Sequence, residues 1–340
     1  MTIKQYSNIT LDMGGGGLKS AEIISNIRKN FPKSSKWKNI EDDGASFELG
    51  DSSIELGTDF FAKKLVFTTD AFIVDPIFFP GGDIGKIAIC GTINDLAVMG
   101  AKPIGISLSL VIEEGFSAED LKKIMQSIGA VSKKTGVPVV TGDTKVTEKG
   151  KIDKIAITTA GVGLAQKIIP NSGAKAGDLI ISSGDLGEHA VTLLAQRFNY
   201  QTKIRSDCQP LNKELETVGK FLNACKDPTR GGLAANLNEI ADKSKVKIIL
   251  EEKSLPYKKE VVAVTELLGL DKFSLASEGR FIASVSEKNI DKVIKILRKF
   301  NREAGVIGKV DKGRGVFVRT ELGSLRKIES PRGKLIPRIC

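Results

Sequence analysis

The stretch GKIAICGTINDLAVMGAKPIGISLSLVI, residues 85–112, constrains the fold more than any other part of the chain. It is mostly apolar, but polar residues such as Asp95 and Lys102 keep it far short of an uninterrupted membrane span. Asp83 near its start and Gly100 further along predict a helix between them, and PIGISLSLVI predicts a strand. Segments of this kind are buried, so the sequence predicts a core around them and no membrane partner.

The length of the chain predicts two domains. A chain of 340 residues exceeds one ordinary core. Both halves mix helical and strand patterns without the regular βαβ repeat of a doubly wound sheet, and the polar stretch PNSGAKAGD marks their boundary. The predicted divisions are a flexible glycine-rich segment (1–36), an N-terminal domain (37–168), a C-terminal domain (169–322) and a mobile tail (323–340). Fully extended, such a tail spans about 60 Å.

The charge of the chain favours small anionic ligands. Lys and Arg number 51 against 41 Asp and Glu, a net charge of +10. The lysines are scattered, with no arginine-rich stripe and no basic motif interleaved with aromatic residues, so nucleic-acid binding is not predicted. A basic surface suits nucleotides instead.

The cysteines and the single histidine exclude several kinds of site. The four cysteines form no CxxC pair and no zinc spacing, and one histidine almost excludes a histidine-dependent triad or metal cluster. Few unpaired cysteines and no apolar leader predict a cytoplasmic protein. The chain ends in IPRIC, and a terminal thiol on a loose tail, Cys340, is placed to move and to carry a chemical group.

Carboxylates recur at the edges of apolar segments, next to Gly or Thr. They are Asp42, Asp43, Asp70, Asp83, Asp95, Asp143 and Asp227. Any single one is more often a solvated surface residue, but the set favours Mg²⁺, which takes oxygen ligands from carboxylates and phosphates. Asp143 follows VPVV, which is predicted to be a buried strand that runs into a glycine turn.

The spacing of Asp83 and Asp95 sets a geometric limit. On one helix, twelve residues span about 18 Å, so one ion cannot contact both side chains within a chain. Either the two acids have different roles, or a second subunit brings one of them to the other's site.

Three other features have two interpretations each, and a fourth has one. The glycines of MGGGGLK could close on phosphates with Lys19 behind them, or could form a plain linker. Lys145 could polarise a substrate or make an ion pair. Glu278 could be a base in a tight turn or a surface residue. His189 is expected to be structural.

Five stretches together resemble the HypE family of hydrogenase maturation proteins. They are TTDAFIVDPIFFPGGDIGKIAICGTINDLAVMGAKP, VTGDTKV, KDPTRGGLAANLNEIA, ASEG and the terminal PRIC, in the family's order and over nearly the whole chain. The internal stretches are shared more loosely with aminoimidazole ribonucleotide synthetase, selenophosphate synthetase and thiamine monophosphate kinase. Only PRIC separates HypE from these relatives. Met13 replaces the histidine of the family's HGxGG loop.

The resemblance implies an α+β, two-domain fold like that of aminoimidazole ribonucleotide synthetase. An N-terminal α+β domain would form a homodimer with ATP near its interface, followed by a C-terminal α/β domain and a flexible tail. The implied activity is ATP-dependent dehydration of a carbamoyl group on Cys340 to a thiocyanate, the cyanide source for nickel–iron hydrogenase. The implied partners are the carbamoyltransferase HypF, as donor, and the HypC–HypD complex, as acceptor.

The resemblance also implies residue roles. Those implied to bind Mg²⁺ are Asp43, Asp70, Asp95, Asp143 and Asp227. Those implied to contact ATP are Lys19, Asp43, Asp70, Phe79, Gly81, Gly82, Asp83, Asn94, Gly142 and Thr144. A carbamoyl oxygen leaves only after phosphorylation, and a base must remove N–H protons. Glu278 is the candidate base, Lys145 the candidate for orienting the carbamoyl group, and Cys340 the carrier.

Two alternatives stay open from the sequence. The chain could be a superfamily relative that acts on a free small molecule, as an ATP-dependent kinase, a cyclo-ligase or a selenophosphate synthetase-like enzyme, with Cys340 incidental. It could also be a non-catalytic scaffold that docks a partner through its tail, in which case it would consume no nucleotide.

Overall fold

The structure, a computed structural model, describes residues 9–10, 13–31, 35–50, 54–55, 61–332, 336 and 338–340. Within these residues the chain forms two domains, each consisting of a sheet with helices packed on it. The remaining residues of the predicted glycine-rich segment and tail lie outside the described ranges.

The N-terminal domain contains a six-stranded sheet with a central helix. Its elements are α1 (Gly17–Arg28), β1 (Trp37–Lys38), β2 (Ala45–Glu48), β3 (Ile54–Glu55), β4 (Phe61–Ala62), β5 (Lys64–Phe72), β6 (Phe78–Phe79), β7 (Gly82–Asp83), α2 (Ile84–Val98), β8 (Lys102–Glu113), α3 (Ala118–Thr135), β9 (Val139–Thr147) and β10 (Ile155–Ala165). The sheet order is β1-β2-β5-β10-β8-β9, antiparallel except for the parallel pair β8–β9. Helix α2 lies across β5, β10 and β8, and α3 packs against α2.

The C-terminal domain contains a seven-stranded sheet. Its elements are β11 (Asp178–Ser182), α4 (Glu188–Arg197), α5 (Asn212–Val218), β12 (Leu222–Lys226), α6 (Gly232–Ser244), β13 (Lys247–Glu251), α7 (Lys259–Leu268), β14 (Ile282–Ser286), α8 (Ile290–Leu297), β15 (Gly305–Asp311), β16 (Gly315–Arg319) and β17 (Leu325–Ile328). The sheet order is β12-β14-β11-β15-β13-β16-β17, with β13 and β16 parallel.

Helix α2 is buried on nearly all sides. Lys86 and Asp95 are the exceptions among its 15 residues. Its isoleucines pack with strands of the N-terminal domain and with Ala190, Val191 and Leu275 of the C-terminal domain. A helix that is apolar all round must be covered on all sides, and here both domains cover it.

The predicted ends of the long helices are confirmed. The Asp83 carboxylate accepts the Lys86 N–H (2.9 Å) and caps α2. The Ser117 hydroxyl accepts the Asp120 N–H (3.3 Å) at the start of α3, and Gly136, at φ 73°, ends it in the left-handed conformation. Side-chain caps satisfy N–H groups that a helix leaves free at its start.

Two segments differ from the sequence-based expectation. VPVVTGDTKV continues as a strand through its glycine, and β9 is exposed along most of its length because it is the last strand of its sheet. In the predicted tail, β17 pairs with β16, so any detached arm can begin only after Ile328.

We expect Ile93→Ala in α2 to lower the free energy of unfolding by about 2–5 kcal/mol, the cost of a large-to-small change in a core. Ile93 is fully buried between the domains, so both should lose stability together. Chemical denaturation followed by circular dichroism measures the effect. Leu267→Ala, at a position 68% exposed, is the control and should change stability by less than about 0.5 kcal/mol. If one domain of Ile93→Ala kept the unfolding midpoint of the wild type, the shared core would be contradicted.

Candidate functional site

Carboxylates from distant parts of the chain meet at the domain boundary. Asp43 precedes β2, Asp95 projects from α2, and Asp227 directly follows β12. Each offers an oxygen atom within 4.8 Å of the others. Asp70, on β5, lies beside Asp95 and raises its pKa. These four residues form the acid cluster, and all four were predicted to serve the metal site.

The acid cluster carries more negative charge than its neighbours offset. Burial raises the pKa of Asp95 well above its ordinary value, and the charges of Asp70, Asp227 and Asp43 raise it further. Burial, followed by the charge of Asp43, raises the pKa of Asp227 to about 7. Lys226 forms an ion pair with Asp43 but is shared with a further acid, Glu239, at 3.3 Å. A divalent cation that prefers oxygen ligands, such as Mg²⁺, fits this set of donors.

Glu278 lies next to the acid cluster in a buried turn, Ser277–Gly279. It is 3% exposed, and its Oε1 atom has no hydrogen-bond partner among the described residues. Burial raises the pKa of Glu278 well above its ordinary value, the charges of Asp227 and Asp207 add to the rise, and Arg230 opposes it. A buried carboxyl group with a raised pKa and an unpaired oxygen is a candidate proton acceptor.

The terminal thiol reaches this carboxyl group. The Cys340 thiol lies beside the Glu278 carboxyl group, and Arg230 is a neighbouring positive charge. Burial, more than the charge of Glu278, raises the pKa of the Cys340 thiol far above its ordinary value, although Arg230 opposes the rise. The thiol is therefore protonated at neutral pH in this position, and only a thiolate is strongly nucleophilic.

Main-chain contacts hold the last residues of the chain, 338–340, which we term the docked tail. The bonds are Ile73 N–H to Cys340 O (3.4 Å), Asp75 N–H to Arg338 O (3.1 Å), Arg197 Nη2 to Arg338 O (2.6 Å) and His189 Nε2 to Ile339 O (2.8 Å). The Ile339 side chain is buried in the core around α2. The contacts recognise the backbone, so the sulfur of Cys340 is left for Glu278.

His189 is fully buried beneath the docked tail. Burial lowers its pKa to about 4, so the ring is neutral at pH 7. Its Nδ1 atom accepts the Ser206 hydroxyl (2.8 Å), which leaves Nε2 as the donor to Ile339. The histidine expected to be structural therefore contacts the tail that carries the thiol.

The glycine loop lies over the same site. Gly16 approaches Arg230 so closely that a Cβ atom would lie 2.9 Å from the Arg230 Cβ. The Leu18 N–H donates to Pro331 O at 3.2 Å. The loop, the Arg230–Gly231 turn and Ile339 enclose a cavity of only about 10 Å³. Lys19 is exposed in the first turn of α1.

Other residues predicted to contact ATP have structural contacts, and two of them, Phe79 and Gly81, lie where the two domains meet. Asp83 caps α2, and the Phe79 ring meets the His189 ring edge-on, with centroids 5.3 Å apart. Gly81 has φ 103°, and a Cβ atom there would lie 2.7 Å from Ser206 O, so only glycine fits. Gly82 follows it and pairs with Phe79 between β6 and β7. For these residues, contact with ATP stays a prediction.

The residues predicted on β9 lie away from the acid cluster within one chain. Gly142, Asp143, Thr144 and Lys145 are all exposed. Two strands, β10 and β8, separate β9 from β5, which carries Asp70. Three strand spacings amount to about 14 Å. Metal binding by Asp143 and a catalytic role for Lys145 therefore stay predictions that require a second chain.

Several site residues were missed by the sequence reasoning. Lys226 and Arg230 flank Asp227 in KDPTRGG, so their position beside a predicted metal ligand was an available signal. Asp207, whose carboxylate accepts the Glu278 N–H at 3.0 Å, has no comparable signal, because its neighbours in sequence form no recognisable motif.

Comparison with protein families gives two matches. The AIR synthase related protein N-terminal domain matches residues 55–165, and the C-terminal domain of the same family matches residues 175–321. A putative hydrogenase expression/formation protein of Methanocaldococcus jannaschii is 43% identical, covering 98% of this chain and 99% of the relative. The carbamoyl dehydratase HypE of Cupriavidus necator is 39% identical, covering 98% and 95%.

Solved structures with the same fold include two HypE structures. HypE in a complex with HypF superposes with a TM-score of 0.82 at 36% identity, covering 91% of this chain and 99% of that chain. HypE in complex with ATP gives a TM-score of 0.79 at 34% identity, covering 98% and 100%.

We expect His189→Ala to speed alkylation of Cys340 by iodoacetamide about 10-fold, since loss of one buried hydrogen bond weakens docking by roughly 1.4 kcal/mol. Peptide mass spectrometry measures the rate at Cys340. Phe198→Ala, at a position 56% exposed directly after α4, is the control and should react like the wild type. Equal rates in the two variants, or a wild-type thiol as reactive as a free cysteine, would contradict docking through His189.

Proposed function

This chain belongs to the HypE family, within the AIR synthase related proteins, and we propose that it acts in hydrogenase maturation as an ATP-dependent carbamoyl dehydratase. In the proposed reaction, a carbamoyl group bound to the Cys340 sulfur loses one water and becomes a thiocyanate. The names of the relatives and the ATP complex of a relative support this reading.

One observation carries the proposal. The Cys340 thiol is seated against the buried carboxyl group of Glu278, next to the acid cluster. A carbamoyl group on this sulfur would lie where Glu278 could take its N–H protons. A phosphoryl donor held at the acid cluster would face the carbamoyl oxygen. The alternative in which Cys340 is incidental gives no reason for seating the terminal thiol here.

The chemistry follows from the bonds that must break. The carbamoyl oxygen on Cys340 would take the γ-phosphoryl group of ATP, with ADP as the leaving group. Glu278 would accept an N–H proton as the C=N bond forms. The C–O bond then breaks, phosphate departs with the oxygen, and loss of the second N–H proton completes the C≡N bond. The balance is carbamoyl thioester plus ATP to thiocyanate, ADP, phosphate and a proton.

The other residues of the site bind and orient. Asp43, Asp95 and Asp227, with Asp70 beside them, would hold Mg²⁺, which supplies charge neutralisation during phosphoryl transfer. Arg230 is positioned to offset negative charge that develops near Cys340. The main-chain bonds of the docked tail would orient the carbamoyl group.

The exposed strand β9 supports a homodimer. It ends the N-terminal sheet and exposes Val140 (65%) and Val146 (64%), and unpaired strand edges of this kind pair readily with another chain. In a symmetric dimer each copy lends the same residues to the other. Asp143 and Lys145 are two residues apart on the strand and project to the same face, so both would reach the partner's site.

The proposed partners follow from the reaction. HypF, which forms a solved complex with a relative, would load the carbamoyl group, and a HypC–HypD complex would accept the cyanide. Both transfers require the docked tail to leave its site. We place the reaction in the cytoplasm. In the described part of the chain, no helix combines the length and apolar character needed to cross a membrane.

We expect the C-terminal peptide, loaded at Cys340 with cyanate, to lose the mass of one water when the protein is given ATP and Mg²⁺. Cyanate carbamoylates thiols, and the other three cysteines are buried. Chelation of Mg²⁺ or omission of ATP should stop the loss. Glu278→Gln should slow it at least about 100-fold, as for removal of a general base. Glu266→Gln, on the surface of α7, is the matched control. Water loss without ATP would refute the proposal.

Mixed dimers test whether Asp143 acts in the partner's site. We expect Asp143→Ala and Glu278→Gln to be inactive alone. A one-to-one mixture after subunit exchange should regain about a quarter of the wild-type rate, since half the dimers then contain one intact site out of two. No recovery after verified exchange, or an active Asp143→Ala protein, would refute the shared site.

A further inference from the structure

Hydrogen bonds hold both backbone polar groups of Glu278 in its turn. The Glu278 N–H donates to Asp207 Oδ1 at 3.0 Å. The Glu278 carbonyl accepts from Asn94 Nδ2 at 3.2 Å. Asn94, Asp207 and Glu278 are all more than nine-tenths buried. The backbone of this turn is therefore fixed by two side chains from different domains.

Asn94 also bonds the loop of residues 207–211, which packs on the Glu278 turn. Its Nδ2 atom donates to Gln209 O (3.1 Å), and its Oδ1 atom accepts the Leu211 N–H (2.8 Å). The loop and the turn touch so closely that a Cβ atom at Gly279 would lie 2.0 Å from Asp207 O. The side-chain amide of Asn94 is thus engaged by the backbone of the C-terminal domain, and its contact with ATP stays a prediction.

The neighbour of Asn94 on α2 is Asp95 of the acid cluster. Consecutive residues of a helix project about 100° apart, so α2 directs Asp95 to the cluster and Asn94 to the Glu278 turn. Both domains bury this helix, so it is a rigid link between the two halves of the site.

We propose that Asn94 and Asp207 are positioning residues that set the place of the Glu278 carboxyl group relative to the acid cluster. Helix α2 fixes this distance, because it carries both Asn94 and Asp95 of the cluster. The proposal rests on the proposed function, in which Glu278 takes protons from the carbamoyl nitrogen. The Glu278 Oε1 atom has no hydrogen-bond partner within the described ranges, so apart from the neighbouring Cys340 thiol the carboxyl group depends on the backbone of the turn for its place. A displacement of about 1 Å at a reacting group can cost roughly 100-fold in rate.

The two positions offer variants that separate placement from stability. Asn94→Ala removes the bonds to the turn and to its loop. Asp207→Ala removes the acceptor for the Glu278 N–H, whereas Asp207→Asn retains an oxygen at the same place. Asp178→Ala is the control, because the buried Asp178 carboxylate also accepts a hydrogen bond from another segment, from the Asn223 amide at 3.0 Å, but its partners belong to neither the Glu278 turn nor the acid cluster.

The experiment uses full-length protein loaded at Cys340 with cyanate. Single-turnover water loss, the ATP dissociation constant and hydrogen exchange of the peptide containing Glu278 are measured for each variant. We expect Asn94→Ala and Asp207→Ala to lose about 10- to 100-fold in the rate of water loss. ATP affinity should stay within about threefold of wild type, and amide exchange at the turn should increase. Asp207→Asn should recover most of the rate.

The outcomes separate this proposal from the proposed function. If Glu278→Gln is inactive while Asn94→Ala and Asp207→Ala react at the wild-type rate, the positioning role is refuted and the general base stands. If Glu278→Gln reacts normally, the general base itself is refuted. A loss of rate in Asp178→Ala equal to that of Asn94→Ala would assign the effect to stability. Should Asn94→Ala fail to fold, the comparison of Asp207→Ala with Asp207→Asn decides the matter.

Discussion

The burial of α2 by both domains is the constraint on which the rest of the structure depends. Its apolar surface extends round the whole helix, so neither sheet alone can cover it, and the two domains must close on it together. Closure places Asp95 and Asn94, two of its few polar side chains, at the domain boundary. The acid cluster and the Glu278 turn then form around these two residues, with contributions from loops far apart in sequence.

Electrostatics explains why this boundary is a site and not only a packing surface. Four carboxylates share one region with Lys226 and Arg230, and burial raises the pKa of Asp95, Asp227 and Glu278. Such an arrangement is costly unless a ligand offsets the charge, which makes the acid cluster a candidate binding site. In the proposed reaction the docked tail supplies the reacting sulfur, and most of the hydrogen bonds that hold it are to its main chain. The group on Cys340 could then change without altering these bonds.

Strand β9 carries predicted site residues that lie too far from the acid cluster of their own chain. A carboxylate and a lysine, Asp143 and Lys145, stand exposed on a strand about 14 Å from the strand of Asp70. Two exposed valines on the same strand offer an apolar edge. The separation of Asp83 and Asp95 on α2 does not require a second subunit, because the two acids have different roles. Asp83 caps α2, whereas Asp95 belongs to the acid cluster.

The sequence by itself determined the family, the two-domain α+β fold and the limits of α2 and α3, because capping residues, apolar periodicity and contiguous motifs are local signals. Of the five acids that it assigned to a metal, four lie together in the acid cluster and Asp143 lies apart from them, and metal binding stays a prediction. Only the tertiary structure decided that Asn94 bonds the turn of Glu278, that His189 receives the tail, that β9 is exposed and that residues 325–328 join the sheet. The first two depend on which groups meet after the domains close on α2, and the last two on the order of the strands in each sheet. Contacts between residues more than a hundred positions apart leave no periodic trace in the chain.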